Sequence, residues 1–307
     1  MSGGQEVFTS KDLALLARGD GPLSSLHPPA RLAVLGDPVA HSVSPQMHTA
    51  ALEARGIDFR YIRLHVGADE LPDAVRNLRT TGFLGASLTI PHKRAALPLM
   101  DEVTREARLM GAMNTVVIRD GILHGHNTDG PGLSAAITES FGQPLSSLRV
   151  LILGGAGGAG RAITFQCALE SCPAIAVANR NRAQGDFLTE EIHKGLGRDA
   201  RSVSLDPSEI RETLASSDLV INATPLGMKA GDPSPLPDGL LEPRHLVYDT
   251  VYSGGETSLL KQAQAAGVRC ADGFSMLLHQ GALQNTLWFG EPAPLEVMRE
   301  ALKTFRH

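Results

Sequence analysis

The segment RVLILGGAGGAGRAI at residues 149–163 restricts the possible folds more than any other part of the chain. A short apolar run, predicted to be a strand, leads into the pattern G-x-G-x-x-G at Gly155, Gly157 and Gly160, which opens a predicted helix. Glycines at these positions allow a tight turn, close approach of backbone N–H groups to a pyrophosphate, and close packing of helix on strand. A merely flexible glycine loop is the alternative. The flanking strand and helix favour a Rossmann-like, dinucleotide-binding domain.

The end of the next predicted strand indicates which dinucleotide would bind. After AIAVA the chain reads Asn179-Arg180-Asn181-Arg182, without the Asp or Glu that holds the ribose 2′-hydroxyl in NAD-binding proteins. Guanidinium groups are permanent cations that can bind a phosphate through two hydrogen bonds, so they suit the 2′-phosphate of NADP. Two solvated surface arginines are the alternative. We predict NADP as the cofactor, with NAD less favoured.

Strands and helices alternate along two stretches of the chain, which predicts mainly parallel sheets covered by helices. The first stretch has predicted strands at 31–35, 59–65 and 86–90, helices at 44–55, 69–80 and 102–110, and a hairpin of 115–119 and 122–125 turning at Asp120-Gly121. The second has strands at 149–153, 174–178, 219–222 and 246–249, helices at 131–141, 158–171 and 183–194, and a final helical segment at 274–305. We expect an α/β protein with a domain boundary near residue 130 and an N-terminal extension, residues 1–30, outside the main fold.

Composition excludes several classes of protein. A net charge of −5 gives no sign of the basic surface that binds nucleic acid or an anionic membrane. No apolar run is long enough to span a membrane. Cys167, Cys172 and Cys270 have neither C-x-x-C pairing nor histidines at ligand spacing, so we predict no metal site and no disulfide framework. The N-terminus lacks the pattern of a secretory signal, which favours a cytoplasmic protein.

Two groups of polar residues follow predicted strands of the first stretch. Ser42 and Ser44 in HSVSPQMH either form a turn before a helix or direct two hydroxyls at a ligand. Lys93 and Asp129 also follow strands, and hydride transfer at an alcohol carbon requires an acid/base group to move the accompanying proton. Taken singly, a residue of either type is more often an exposed charge. The histidines His41, His48, His124 and His126 lack the spacing of metal ligands.

Many motifs in one order give the chain a resemblance to a known family. From residue 31 to 305 these are GDPVAHSVSP, SLTIPHK, GAMNTV, GHNTDGPG, LGGAGGAGRA, ANRNR, INATPLGM, YDTVY and ADGFSMLLHQGA. The chain resembles the shikimate/quinate dehydrogenase family. The resemblance implies reversible, NADPH-dependent reduction of 3-dehydroshikimate to shikimate in chorismate and aromatic amino acid biosynthesis. It also implies a substrate-binding domain (31–130 with about 275–307), an NADP-binding domain (131–274) and a cleft between them.

The resemblance also implies roles for particular residues. Lys93 would be the acid/base group, and Asp129 would orient it and bind the substrate. Ser42 and Ser44 would hold the substrate carboxylate. Further substrate contacts would be Ser87, Thr89, Asn114, Tyr252 and Gln280. Cofactor contacts would be Gly155, Ala156, Gly157, Gly158, Asn179, Arg180, Arg182, Thr224, Met228 and Gly273, with Asn179, Arg180 and Arg182 matching an N-R-T-x-x-R region.

Three departures from the family pattern leave alternatives open. Ser87 replaces the Asn of an N-V-T motif, and Asn285 replaces a large apolar residue, often Phe. The N-terminal extension is unusual. A paralogue of broader specificity that also uses quinate is therefore one alternative, and a non-catalytic ligand-sensing protein on the same fold is another. The expected partner is the small-molecule substrate, and we expect a monomer or a homodimer.

Overall fold

The computed structural model describes residues 6–252 and 255–304, and the chain divides into two compact units. The first unit runs to Thr128 and takes up the chain again at Gln280, while the second comprises Asp129–His279. Each unit contains one β-sheet and its own hydrophobic core. The alternation of short apolar runs with helical segments thus forms an α/β protein, as predicted.

The first unit is built on one seven-stranded sheet. Its strands are β1 (Val7–Thr9), β2 (Ala30–Gly36), β3 (Arg60–His65), β4 (Gly85–Leu88), β5 (Glu102–Val103), β6 (Thr115–Arg119) and β7 (Ile122–His126). They lie in the order β1-β3-β2-β4-β6-β7-β5. The first four are parallel, β6 is antiparallel to β4 and β7, and β5 pairs in parallel with β7. The nearly continuous apolar sequence of β2 fits its buried place inside the sheet.

Among the described residues of the first unit, five α-helices precede residue 129. They are α1 (Ser10–Leu16), α2 (Ser44–Ala54), α3 (Leu71–Thr80), α4 (His92–Ala95) and α5 (Arg105–Met110). Pro45 lies in the first turn of α2, where its missing N–H leaves no helical hydrogen bond unmade. α3 buries Leu71, Ala74, Val75 and Leu78, a spacing that places all four on one helical face against the sheet.

The prediction that residues 1–30 lie outside the main fold is wrong for the described part of this segment. β1 pairs in parallel with β3, with Phe8 opposite Leu64, and Phe8 and Leu13 are buried in the core of the unit. The Thr9 hydroxyl accepts a hydrogen bond from the Asp12 N–H at 3.3 Å and caps α1. A three-residue strand is too short to show an alternating pattern, so only its pairing with β3 identifies it.

The predicted hairpin of β6 and β7 is confirmed. The two strands pair in antiparallel register, with Arg119 opposite Ile122. Both turn residues have left-handed backbones, with φ of 50° at Asp120 and 75° at Gly121. Asp-Gly is suited to this turn because two-residue hairpin loops of this type need positive φ at both positions.

The second unit is a doubly wound sheet of six parallel strands. These are β8 (Arg149–Leu153), β9 (Ala174–Ala178), β10 (Arg201–Val203), β11 (Leu219–Asn222), β12 (Leu246–Asp249) and β13 (Arg269–Ala271), in the order β10-β9-β8-β11-β12-β13. Leu153 is in register with Ala178 on one side and Asn222 on the other, and Asn222 with Asp249. The residues that follow these four strands therefore lie along one edge of the sheet, where ligands bind in such folds.

The helices that follow residue 128 are α6 (Asp129–Phe141), α7 (Gly158–Leu169), α8 (Arg182–Leu196), α9 (Pro207–Ala215), α10 (Ser258–Ala265), α11 (Phe274–Phe289) and α12 (Leu295–Lys303). The segment predicted as helical at 274–305 is two helices. Gly290 has φ of 75°, and Pro292 and Pro294 lack the N–H that would continue the first helix. Among the described residues, no helix is long and apolar enough to cross a membrane.

Candidate active site

The glycine segment turns the chain from β8 into α7 at the ligand-binding edge of the second sheet. Gly154 has φ of 76°, so the left-handed residue lies one position before Gly155. A Cβ at Gly160 would overlap the Gly154 carbonyl oxygen, which explains the third glycine of the pattern as a close-packing position. Around a Cβ placed at Gly158, the first residue of α7, the space is open to 4 Å. Open space before a helix N-terminus suits a phosphate group.

Residues from the ends of β9 and β11 support this loop. The Asn179 side-chain oxygen accepts a hydrogen bond from the Ala156 N–H at 3.3 Å, and Asn179 is buried. Thr224 lies on the other side, where its methyl carbon would be 2.8 Å from a Cβ on Gly154. The Thr224 hydroxyl donates to the Asn222 side-chain oxygen at 2.7 Å. The structure thus brings together Ala156, Asn179 and Thr224 from the predicted cofactor residues.

The two arginines after β9 differ in their surroundings. Arg180 is exposed, and Arg182 begins α8 beside two carboxylates: its Nη1 lies 3.5 Å from Glu209 Oε2 and its Nε 4.0 Å from Asp186 Oδ1. Counting along N-R-T-x-x-R from Asn179 places the second arginine of the pattern at Gln184, two residues after Arg182. Residues 179–182, which follow β9, include neither Asp nor Glu. This segment therefore places no carboxylate where a 2′-phosphate would bind.

The remaining candidates of the second unit follow β11, β12 and β13 or begin α6. Met228 is 57% exposed, and Gly273 packs so closely that a Cβ would overlap the Thr250 carbonyl oxygen. The Tyr252 ring lies 5.6 Å from the Phe274 ring, centroid to centroid. Partial burial, together with the charge of Asp129, raises the pKa of Tyr252. Asp129 is itself buried and is the first residue of α6.

In the first unit, Arg63 holds the segment that contains both candidate carboxylate-binding serines. Its Nε and Nη2 donate to the Ser42 carbonyl oxygen at 2.9 and 2.6 Å, and Nη2 also donates to the Gln46 side-chain oxygen at 3.0 Å. The Ser44 N–H donates to the Ser42 hydroxyl oxygen at 3.3 Å, and Ser44 begins α2. The serines therefore lie at the start of a helix, on a segment fixed by a buried guanidinium. Both interpretations of HSVSPQMH are compatible with this geometry.

Ser87 belongs to a buried chain of hydrogen bonds. The Tyr61 hydroxyl donates to the Ser87 oxygen at 2.8 Å, and the Ser87 hydroxyl donates to the Gln284 side-chain oxygen at 2.8 Å. A hydroxyl has one proton, so in this arrangement Ser87 offers a ligand only a remaining lone pair. The Gln284 side-chain nitrogen in turn donates to the Asn114 backbone carbonyl oxygen at 3.4 Å. No local pattern in the sequence signals Tyr61 or Gln284, because both are brought to Ser87 by tertiary packing.

Asn114 is the centre of a second polar group in the same unit. Its amide nitrogen donates to the Thr128 hydroxyl at 2.9 Å and to the Gln280 side-chain oxygen at 3.3 Å. Its side-chain oxygen accepts from the Thr128 N–H at 2.8 Å and from the Thr115 hydroxyl at 2.9 Å. Asn114 and Gln280, 166 residues apart, are thus brought together as two of the predicted substrate contacts.

Lys93 and Thr89 lie at the end of β4. Lys93 is the second residue of α4 and half-buried, and its carbonyl oxygen accepts from the Met113 N–H at 2.8 Å. The Thr89 methyl carbon would overlap a Cβ on Gly36, so the loop after β2 can approach β4 only with glycine there. The described residues contain no group of three or more His, Cys, Asp or Glu placed to hold a metal ion.

Asn285 and His48 are fully buried polar side chains of the first unit. Neither the Asn285 amide nor the ring nitrogens of His48 have a hydrogen-bond partner among the described residues. The His48 ring stacks on Tyr61 at 4.5 Å and lies 5.1 Å from the Trp288 ring. Burial lowers the pKa of His48 to about 3, with the neighbouring Gln284 side chain acting in the opposite direction.

Two family models match the chain. The model described as the shikimate dehydrogenase substrate binding domain matches residues 34–116, and the model described as the shikimate 5′-dehydrogenase C-terminal domain matches residues 273–303. A protein named shikimate dehydrogenase (NADP(+)) from Methanopyrus kandleri is 41% identical over 273 residues, covering 88% of this chain and 93% of the relative. The chain belongs to the shikimate dehydrogenase family.

Solved structures of this family have the same fold. The shikimate 5-dehydrogenase of Thermus thermophilus, in complex with NADP(H) and shikimate, is 39% identical with a TM-score of 0.80, covering 90% of this chain and 99% of that one. The quinate dehydrogenase of Corynebacterium glutamicum, in complex with NAD, is 33% identical with a TM-score of 0.80, covering 89% of this chain and 98% of that one. The solved relatives thus include one protein named for shikimate and one named for quinate.

Proposed function

We propose that this chain is an NADP-dependent shikimate dehydrogenase, which reversibly reduces 3-dehydroshikimate to shikimate. The observation that carries the proposal is the ligand-binding edge of the second sheet. There a glycine turn opens a helix, and β9 is followed by Asn-Arg without an acid. The relatives named as NADP-dependent shikimate dehydrogenases support the same conclusion.

The residues at this edge fit an NADP molecule. The turn of Gly155, Ala156, Gly157 and Gly158 would hold the pyrophosphate, because the space before α7 is open and the helix N-terminus attracts anions. Asn179, Arg180 and Arg182 would hold the 2′-phosphate side of the adenosine, and Thr224, Met228 and Gly273 would contact the rest of the cofactor. When bound, NADP supplies the hydride donor or acceptor of the reaction.

The first unit supplies the groups for the substrate. Ser42 and Ser44 would hold its carboxylate, with Arg63 fixing their segment through the Ser42 carbonyl. Thr89, Asn114 and Gln280 would bind its hydroxyls, and the hydrogen bonds of Asn114 to Thr128 and Gln280 keep these groups oriented before the substrate arrives. In the second unit, Tyr252 would contact the substrate beside the reacting carbon.

Lys93 would exchange the proton that accompanies hydride transfer. An ammonium group on a half-buried side chain can donate to the carbonyl oxygen during reduction and recover the proton during oxidation. Asp129 is buried at the start of α6 and would accept a hydrogen bond from the reacting hydroxyl. These roles give a function to both Lys93 and Asp129, the charged residues that follow strands of the first stretch.

A kinetic matrix tests the proposal. The purified protein is assayed with shikimate and quinate, each with NADP and NAD, and we expect shikimate with NADP to give the highest kcat/KM. A second candidate is a quinate/shikimate dehydrogenase of broader specificity. It is favoured by Ser87, because the Ser87 hydroxyl donates its hydrogen bond to Gln284 and has none left to donate to a substrate. Comparable kcat/KM for quinate would establish that alternative. No shikimate-dependent formation of NADPH would contradict both enzymes and favour a non-catalytic ligand-sensing protein.

A further inference from the structure

Arg182 is surrounded by negative charge in the region proposed to receive the 2′-phosphate. Its Nη1 is 3.5 Å from Glu209 Oε2, and its Nε is 4.0 Å from Asp186 Oδ1. Both distances exceed those of a strong charge-assisted hydrogen bond, so the guanidinium is attracted by both carboxylates and locked by neither. Two residues earlier, Arg180 is exposed. The two carboxylates offset part of the positive charge that the arginines give this region of the surface.

Glu209 is the more fixed of the two carboxylates. Its Oε2 accepts hydrogen bonds from the Ser204 N–H at 3.1 Å and from the Ser204 hydroxyl at 2.5 Å, and its side chain is 28% exposed. The Ser204 hydroxyl and N–H, with the nearby charges of Arg182 and Arg201, hold the pKa of Glu209 below its usual range. Glu209 is therefore ionised at neutral pH. Asp186, one turn along α8, is 59% exposed and its charge is better screened by water.

We propose that Glu209 is a specificity-determining residue that weakens the preference for NADP by competing with the 2′-phosphate for Arg182. The inference rests on the proposed use of NADP. A 2′-phosphate carries about one to two negative charges at neutral pH, so it attracts Arg182 and is repelled by the Glu209 carboxylate. That carboxylate lies 3.5 Å from the Arg182 Nη1. NAD has a hydroxyl at the same position, and its affinity is insensitive to Glu209.

Glu209→Gln tests this proposal, because glutamine keeps an oxygen for Ser204 and loses only the charge. Dissociation constants for NADPH and NADH are measured by nicotinamide fluorescence at low salt. We expect Glu209→Gln to tighten NADPH by about three- to tenfold and to leave NADH within about twofold, with the gain shrinking in about 0.5 M NaCl. An NADPH-to-NADH ratio of dissociation constants that is unchanged, or shifted towards NADH, would overturn the proposal.

Glu190→Gln is the matched control, since Glu190 lies on the same helix as Arg182, two turns further along, and pairs with Lys194 at 2.6 Å. It makes the same change in net charge about 12 Å away along α8 and should leave the ratio unchanged. An equal effect of Glu190→Gln would mean a general charge effect and contradict the proposal. If Glu209→Gln does not fold, Asp186→Asn on the exposed face gives the second test, and a smaller shift in the same direction is required.

The wild-type protein separates this inference from the proposed function. Tighter binding of NADH than of NADPH by the wild type would contradict the proposed cofactor. The change caused by Glu209→Gln tests Glu209 whichever cofactor the wild type prefers.

Discussion

Buried side chains from neighbouring elements hold the serines of the proposed substrate site in place. Ser87 is an example, because its hydroxyl connects Tyr61 on β3 to Gln284 on α11, 197 residues further along the chain. Arg63 similarly reaches the Ser42 carbonyl from a neighbouring strand. The motif around each serine predicts that a hydroxyl is present. For Ser87, the acceptor of that hydroxyl's hydrogen bond depends on the packing of α11 against β4.

Lys93→Ala tests the acid/base role at the scale of one residue. Without the ammonium group the hydride would have to move without a positioned proton donor, and we expect kcat to fall by about a hundredfold or more. The KM for shikimate should change little, because Ser42, Ser44 and Asn114 remain. Steady-state kinetics with shikimate and NADP give both constants.

Arg94→Ala is the control for Lys93→Ala. Arg94 is the exposed next residue of α4, and its loss removes one positive charge from the same helix. Its kcat should stay close to that of the wild type. A kcat for Lys93→Ala within about threefold of wild type would remove Lys93 from the reaction, since acid/base groups contribute far more.

Among the elements, those with a long apolar run or a clear boundary signal were predictable. β2, β8 and β9 are apolar runs of five to seven residues, and each was identified within one residue of its ends. Short strands gave no signal: β1, β5, β10 and β13 have two or three residues each. Helices α9 and α10 also went unidentified, although Asp206 and Thr257 cap them with side-chain oxygens. Two or three residues cannot establish an alternating period, so pairing with a neighbour defines such strands.

Gly160→Ala tests how the glycine turn is held against α7. A methyl group there would overlap the Gly154 carbonyl oxygen, so the helix must move away from the turn. We expect a loss of about 1–3 kcal/mol in the free energy of unfolding, measured by urea titration without ligand. Gly158→Ala is the matched control on the same helix, because a Cβ there has open space to 4 Å and should leave stability unchanged or slightly raised. Equal effects of the two substitutions would contradict the packing role of Gly160.

At the scale of the whole molecule, buried histidines make folding stability depend on pH. Burial lowers the pKa of His48 from 6.5 to about 3, and burial also lowers the pKa values of His92, His126 and His245. The unfolded chain therefore binds protons below about pH 6.5 that the folded chain does not. The stabilisation is complete above about pH 6.5 and is lost as the pH falls towards about 3.

The contribution of His48 can be isolated by substitution. For one such group, the free energy of unfolding falls by up to about 1.4 kcal/mol per pH unit below about pH 6.5. His48→Gln should reduce this slope between about pH 6 and pH 4, whatever its effect on stability at about pH 8. His193→Gln is the control, because His193 is exposed and should leave the slope nearly unchanged. Parallel slopes for wild type and His48→Gln would contradict a neutral, buried His48 in the folded protein.

The sequence by itself determined the α/β class, the glycine turn, the absence of an acid after β9 and the family. These depend on local residue types whose chemistry is the same wherever the segment lies. Only the tertiary structure decided that β1 joins the first sheet, that Asn114 meets Gln280, that the Ser87 hydroxyl donates a hydrogen bond to Gln284, and that Glu209 lies beside Arg182. Each of these contacts joins segments from different elements, so burial and strand order determine them rather than the preferences of neighbouring residues.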